Sequence, residues 1–92
     1  MTPELEKLSQ EIQLLGADEA ISRLDTYIAA NPADPDALTL RGIRHFGAGH
    51  RASAIGDYLA ALRIDPDHRK AGEALNFANS ILDYYNKDLY NP

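Results

Sequence analysis

The chain is short of cysteine, of long apolar runs and of basic residues, and each shortage excludes a class of protein. Because it has no cysteine, it can hold neither a disulfide framework nor a cysteine-ligated metal site. No apolar run approaches the roughly 18 residues that a membrane-spanning helix needs. Nine basic residues against fourteen acidic ones give a net charge of -5, which disfavours a general nucleic-acid-binding protein.

The N-terminal segment lacks the features of a secretory signal. Met1, Thr2, Pro3 and Glu4 include an acid and no apolar stretch, whereas a signal peptide has a basic start and an apolar centre. The absence of cysteine also suits a reducing compartment. We therefore expect a cytoplasmic protein, and its 92 residues suffice for a single small domain with a modest core.

Two stretches of the chain resemble each other at a separation of 34 residues. The matching positions are Ala20 and Ala54, Ile21 and Ile55, Leu24 and Tyr58, Ile28 and Leu62, Pro32 and Pro66, and Ala37 and Ala71. A fixed period of this size is typical of stacked supersecondary units. Such arrays present a curved surface to another chain and have no ready-made catalytic pocket.

The spacing of apolar residues predicts five helices joined by short turns, and no strands. The predicted helices span approximately residues 3–15, 17–30, 35–48, 51–64 and 68–85. Thr2 and Pro3 form a good helix start, since a hydroxyl can cap the first amides and proline suits the first helical position. Pro32 and Pro66 follow the second and fourth helices, where proline disfavours helical continuation. The fold class we expect is all-α, built from antiparallel helix hairpins.

Residues 35–68 carry a spaced set of residues that is typical of one family. The set is Leu38, Arg41, Gly42, His45, Gly49, Ala54, Tyr58, Ala61 and Pro66. It resembles the tetratricopeptide repeat, and the whole chain resembles a small bacterial-type member of that family. Arg41 and His45 depart from the family pattern, which has a leucine and an aromatic residue at these positions.

The resemblance implies an α-α superhelix of about two repeats with a C-terminal capping helix. The implied divisions of the single domain 1–92 are a degenerate repeat at 1–34, a repeat at 35–68, a capping helix at 69–85 and a tail at 86–92. In the degenerate repeat, Tyr27 replaces a small alanine of the family pattern. Gly42 and Ala54 are expected to let two helices approach closely, with Tyr58 filling the gap toward the next helix.

The family geometry also implies a concave face that binds a partner. The residues that it places there are Leu5, Ser9, Ile12, Gln13, Asp36, Thr39, Ile43, Phe46, Lys70, Glu73 and Phe77. They would form a groove with an apolar floor and a few charges at its rim, which suits an extended peptide or an amphipathic helix. The alternative is that the apolar members belong to the core. Of the positions that clamp chaperone tails in some family members, only Lys70 matches, so we expect no such clamp.

We expect a non-catalytic scaffold for protein–protein interaction, without a cofactor or a metal. The histidines 45, 50 and 68 lack a helical pair spacing, and a metal site would need them joined across a turn with further ligands. The aspartates at 34, 36, 65 and 67 lie in turns, where aspartate commonly caps helices. The alternative function is a structural homo-oligomer that self-associates through the groove or the C-terminal tail.

Two further features leave alternatives open. Residues 41–70 hold six basic side chains, namely Arg41, Arg44, Arg51, Arg63, Arg69 and Lys70. They are either solvated helix faces or a basic belt that attracts an acidic segment of a partner or of a second copy. The tyrosines of residues 84–92 either pack back on the fourth helix or form a recognition segment for another chain.

Overall fold

The computed structural model describes the backbone of residues 1–90 and the side chains of residues 1–80. Its five helices are α1 (Pro3–Ile12), α2 (Ala17–Ala30), α3 (Pro35–Gly47), α4 (Arg51–Ile64) and α5 (Arg69–Tyr90). Residues 1–90 contain no strand, so the predicted all-α class is confirmed. Over the same residues, no helix combines the length and the apolar content required to cross a bilayer.

Two helix ends differ from the sequence-based bounds by more than one residue. α1 ends at Ile12, because the chain turns at Gln13 and the amides of Leu14 and Leu15 bond back to Glu11 and Ile12. α5 continues to Tyr90, beyond the predicted end near residue 85. The two expectations for the tyrosine-rich tail, packing on α4 or recognition of another chain, concern side chains that lie outside the described residues.

Side-chain caps fix where three of the helices begin. Thr2 Oγ1 accepts the Leu5 amide at 3.2 Å at the start of α1. Asp34 Oδ1 accepts the amides of Asp36 and Ala37 at 3.0 and 3.3 Å at the start of α3. His68 Nδ1 accepts the Ala71 amide at 3.1 Å at the start of α5. The capping role predicted for the turn aspartates is thus confirmed at Asp34.

α3 is the central helix, since it packs against α2, α4 and α5. Its closest approach to α4 occurs at Gly42, where an added Cβ would lie 2.5 Å from Tyr58 Cε1 and 3.2 Å from the Ala54 carbonyl oxygen. A side chain larger than hydrogen fits there only if the Tyr58 ring and the neighbouring backbone of α4 shift. The predicted close contact between Gly42 and Ala54, with Tyr58 beside them, is therefore confirmed.

The core consists of small and aliphatic side chains from all five helices. A larger cluster contains Leu5, Ile12, Ala20, Leu24, Ile28, Ala37, Leu38, Ala61 and Ala71, and a smaller one contains Ala54, Tyr58 and Ala78. Several positions that repeat after 34 residues lie in these clusters, so the sequence period is a period of buried side chains. Burial raises the pKa of the Tyr58 hydroxyl.

An ion-pair network joins three consecutive helices around Arg41 of α3. The Nε and Nη2 atoms of Arg41 donate to the two carboxylate oxygens of Asp57 on α4 at 2.9 and 2.8 Å. Nη1 donates to Asp25 on α2 at 3.0 Å. The hydrogen bonds to Asp57 raise the pKa of Arg41. This bidentate pairing explains how arginine is accommodated at a position where the family pattern has leucine.

Candidate functional site

A groove runs across α1, α3 and α5. We call its first part the proximal groove, with a volume of about 540 Å³, and its second part the distal groove, with a volume of about 340 Å³. The proximal groove is lined by Met1, Ser9, Ile12, Gln13, Ala17, Leu40, Ile43, Arg44, Gly47 and Lys70. The distal groove is lined by Ile43, Phe46, Tyr58, Lys70, Glu73, Ala74 and Phe77. Ile43 and Lys70 border both parts, so the two parts adjoin each other.

The floor of the groove exposes large apolar side chains. Phe77 is 59% exposed and Ile43 is 38% exposed. Phe77 meets Phe46 edge to face, with ring centroids 5.7 Å apart, an arrangement that favours aromatic pairs. Burial of apolar side chains of this kind lowers the free energy, so their exposure to water is unfavourable. The distal groove therefore exposes an apolar surface to solvent.

Two cations flank the floor without a carboxylate partner. Arg44 Nη2 donates to the main-chain carbonyl of Ile12 at 3.0 Å, which fixes its position against the end of α1. Lys70 is exposed, and within the described part of the chain its ammonium has no hydrogen-bond or ion-pair partner. The proximal groove contains both cations, and no aspartate or glutamate of the described chain lines it. Its lining is therefore basic, although the chain as a whole is acidic.

The acidic side chain of the distal groove is already paired. Glu73 accepts from Arg69 Nε at 3.1 Å, one helical turn away on α5. Both side chains are exposed, so solvent screens the pair and its contribution to stability is small. Glu73 nevertheless has a cationic partner on its own helix, in addition to its position beside Lys70 in the lining of the distal groove.

Most of the residues that the sequence placed on a concave face line this groove. Those residues are Ser9, Ile12, Gln13, Ile43, Phe46, Lys70, Glu73 and Phe77. The alternative that the apolar members are core is correct for Ile12, which belongs to the main cluster while forming the base of the proximal groove. The others are accessible from the groove and can contact a ligand.

Leu5, Thr39 and Asp36 do not line the groove. Leu5 is 0% exposed and Thr39 is 1% exposed, so both are core residues. The Thr39 hydroxyl donates to the Pro35 carbonyl at 2.7 Å, which satisfies its polar atoms and permits burial. Asp36 accepts a hydrogen bond from His68 Nε2 at 2.7 Å and thereby joins the starts of α3 and α5. The structure gives these three residues structural roles.

The groove face of α3 lies about one residue further along the helix than the family geometry implied. Of the residues expected there, 43 and 46 line the groove and 36 and 39 do not, whereas Leu40, Arg44 and Gly47 also line it. Leu40, Arg44 and Gly47 were missed, as were Ala17 on α2 and Ala74 on α5. On α3, Arg44 and Gly47 follow Leu40 at helical spacing, and that spacing was the available signal for these residues.

The structure brings two histidines together but forms no larger cluster of metal ligands. The Nδ1 atoms of His45 and His50 lie 3.3 Å apart across the turn between α3 and α4, which is a hydrogen-bond distance. In the described part of the chain, no three residues among histidine, aspartate and glutamate are placed to hold a metal ion. His45 is the member of the pair at the position where the family pattern has an aromatic residue.

The proposed basic belt is interrupted by partners inside the protein. Arg41 is bound to Asp57 and Asp25, and Arg69 is bound to Glu73. The residues of this belt that the groove contains are Arg44 and Lys70. Arg44 and Lys70 are thus the members of the proposed belt that line the groove, while Arg51 and Arg63 lie outside it.

Comparison of this chain with protein-family models, with curated proteins and with solved structures gives no match. The groove itself, with its apolar floor and its two cations, is therefore the basis for assigning a function.

Proposed function

We propose that this protein is a non-catalytic scaffold that binds a peptide or a helix of a partner protein in the proximal and distal grooves. The observation that carries the proposal is the exposure of Phe77 and Ile43 in the floor of the adjoining proximal and distal grooves. Exposed apolar side chains grouped in one concavity are typical of interaction sites, whereas single exposed ones are common everywhere. The proposed site acts by binding alone, without a cofactor, and in the cytoplasm.

We further propose that the helices form a tetratricopeptide-like arrangement. Consecutive helices pack against each other along the chain, and positions 20, 24 and 37 are buried like their counterparts 54, 58 and 71. The contact of Gly42 with Tyr58 and Ala54 has the residue types that the family pattern requires. This arrangement accounts for a groove formed by α1, α3 and α5, the first helices of successive units.

The size of the groove suits a short segment of a protein. Volumes of about 540 and 340 Å³ accommodate several side chains, and the floor runs from α1 to α5. Helical and extended peptides both use such surfaces by placing spaced apolar side chains into adjacent depressions. The two phenylalanines of the distal groove provide one depression, and Ile12 with Leu40 provides the other.

The charge pattern favours a second candidate function, a homo-oligomer in which the groove receives another copy of the chain. Residues 1–40 hold eight acids and two bases, a net of -6, while residues 41–70 hold three acids and six bases, a net of +3. Opposite charges in the two halves favour head-to-tail association. Sedimentation equilibrium over a range of protein concentrations and salt concentrations tests this candidate directly.

A mass-resolved pull-down with a groove variant tests the main proposal. The variant carries Ile43→Glu and Phe77→Glu, and the matched control carries Leu59→Glu, because Leu59 on α4 is also exposed but does not line the groove. We expect the wild type and the control to retain the same protein and the groove variant to lose it. Circular dichroism verifies that all three are folded. Retention by the groove variant would contradict the proposal.

A further inference from the structure

Lys70 lies at the junction of the proximal and distal grooves. Its neighbours on one side are the residues of the proximal groove, and on the other side are the two phenylalanines of the distal groove. Within the described residues, its ammonium group has no partner. An ammonium in this position meets any chain that follows the groove from one part to the other.

Arg44 on α3 adds a second positive charge to the lining of the proximal groove, which also contains Lys70. One N–H of its guanidinium is used on the Ile12 carbonyl, which orients the group and leaves other donors of the five unused there. Elsewhere the protein pairs arginine closely with acids, as Arg41 does with Asp57 and Asp25. The lining of the proximal groove differs, because it includes both cations and no aspartate or glutamate of the described residues, and Glu73 in the adjoining distal groove is paired with Arg69.

The basic junction lies next to the apolar depression of the distal groove. Phe46 and Phe77 form that depression, and Glu73 beside it is held by Arg69. A basic segment would therefore face Lys70 and Arg44 with like charge, and a purely apolar one would leave the Lys70 ammonium partly desolvated without a partner. In a segment with a carboxylate and adjacent large apolar side chains, the carboxylate pairs with the cations of the junction and the apolar side chains fill the depression of the distal groove.

We propose that the groove selects partner segments in which an aspartate or glutamate side chain binds Lys70 and Arg44 while a neighbouring aromatic or aliphatic side chain packs on Phe46 and Phe77. The proposal rests on the proposed function and specifies its ligand as an acidic, apolar segment of another protein. The complementarity is local, because the net charge of -5 disfavours acidic chains at long range and the attraction depends on the positive charge of Lys70 and Arg44 in the groove.

A charge-reversal selection tests this specificity. A library of random 12-residue peptides displayed on phage is selected on the immobilised wild type, on Lys70→Glu and on Arg63→Glu. Arg63 is an exposed cation of α4 that does not line the groove, so its variant has the same net charge as Lys70→Glu. We expect the wild type and Arg63→Glu to enrich peptides containing aspartate or glutamate beside Phe, Tyr or Leu. Lys70→Glu should instead enrich peptides containing lysine or arginine.

A synthetic peptide from the selection gives the quantitative measurement. Replacement of its conserved Asp by Asn, or of Glu by Gln, should weaken binding to the wild type by about tenfold, the effect of losing one charge-assisted hydrogen bond. The same replacement should leave binding to Lys70→Glu unchanged or improve it. Fluorescence anisotropy at low and high salt measures both, and the wild-type affinity should fall as salt rises.

Three outcomes would overturn the proposal, and they are distinguishable. Peptides without an acidic excess, or the same peptides from Lys70→Glu, would overturn the acidic specificity and leave groove binding intact. A complete absence of enriched peptides would overturn the proposed function as well. A concentration-dependent dimer of the wild type that is lost in Lys70→Glu would identify a second copy as the occupant of the groove.

Discussion

The two faces of α3 show opposite kinds of constraint. Gly42 is enclosed by Tyr58 and Ala54, and no larger side chain fits there. Ile43, the next residue, points into the groove and is partly exposed. The packing face is defined by contacts within the protein, whereas no contact within the described chain requires a large apolar residue at position 43. The packing face at Gly42 therefore specifies the fold, whereas the groove face at Ile43 is free to determine which ligand is bound.

The largest difference in the free energy of unfolding is expected between alanine variants of Leu5, a core residue, and of Phe77, a groove residue. Leu5→Ala removes a fully buried side chain and should lower the free energy of unfolding by about 2–5 kcal/mol. Phe77→Ala removes an exposed one and should cost less than about 1 kcal/mol, mainly its contact with Phe46. Urea unfolding followed by circular dichroism measures both. Equal losses would show that the groove floor is part of the core.

A smaller effect is expected from adding one methyl group to each face of α3. Gly42→Ala forces α3 and α4 apart and should lower the free energy of unfolding by about 1–3 kcal/mol. Gly47→Ala lies in the proximal groove, where an added Cβ meets nothing within 4 Å. It should leave stability unchanged or raise it by up to about 1 kcal/mol, through helix propensity. Stability retained in Gly42→Ala would mean that the helices are less closely packed than described.

The packing face of α3 includes Arg41, and its two partners should differ in importance. Asp57→Ala leaves a guanidinium whose side chain is only 23% exposed with one weaker partner. The expected loss is about 1–3 kcal/mol, less than for a fully buried pair. Asp25 is more exposed, so Asp25→Ala should cost about 0–1 kcal/mol. Thermal unfolding of both variants at the same pH shows which substitution costs more stability. A larger loss for Asp25→Ala would contradict the described pairing of Arg41 with Asp57 and Asp25.

The smallest effect is expected at Asp36, which joins the starts of α3 and α5. The hydrogen bond from His68 and the nearby N-terminal ammonium hold the pKa of Asp36 below its usual value of 3.8, against the opposing effect of burial. Its stabilising contribution is therefore present above about pH 4 and is lost as the pH falls through the lowered pKa. Asp36→Asn should be less stable than the wild type at pH 6, and the difference should narrow at pH 3. A difference that is the same at both pH values would contradict this role.

The sequence predicted the five helices and their packing face because these depend on local signals. Caps such as Asp34, prolines after the second and fourth helices, and buried small residues at a 34-residue period all act within a few residues or repeat along the chain. Gly42 and Ala54 were recognisable for the same reason, since close helix contacts require small side chains. These are the parts of the molecule that its own packing determines.

The groove face was predicted less well, and the reason is a polar residue in the core. Thr39 was assigned to the groove, but its hydroxyl bonds to the Pro35 carbonyl and its methyl group is buried, which rotates the expected face by one residue. Leu40 and Arg44 occupy the groove in its place. A hydroxyl that bonds within its own helix gives no sign of burial in the sequence.

Arg41 and Tyr27, which depart from the family pattern, are accommodated by partners on other segments of the chain. Arg41 is stabilised by Asp25 and Asp57, each 16 residues away. Tyr27, which replaces a small residue of the pattern, extends its hydroxyl to Asp34 at 2.8 Å and to Thr2 at 2.9 Å. No local signal identifies these pairs, so their compensation became visible only in the structure.

The ion pairs of Arg41 have a consequence for how the protein opens in the native state. They connect α2, α3 and α4, whereas no described side chain of α1 or α5, the helices that form the two walls of the groove, takes part in this network. Native proteins open in cooperative units of unequal stability. We expect the amide protons of α2, α3 and α4 to exchange with deuterium together and slowly, and those of α1 to exchange sooner. Occupation of the groove should then slow exchange in α1 first, because a bound segment holds that wall against α3.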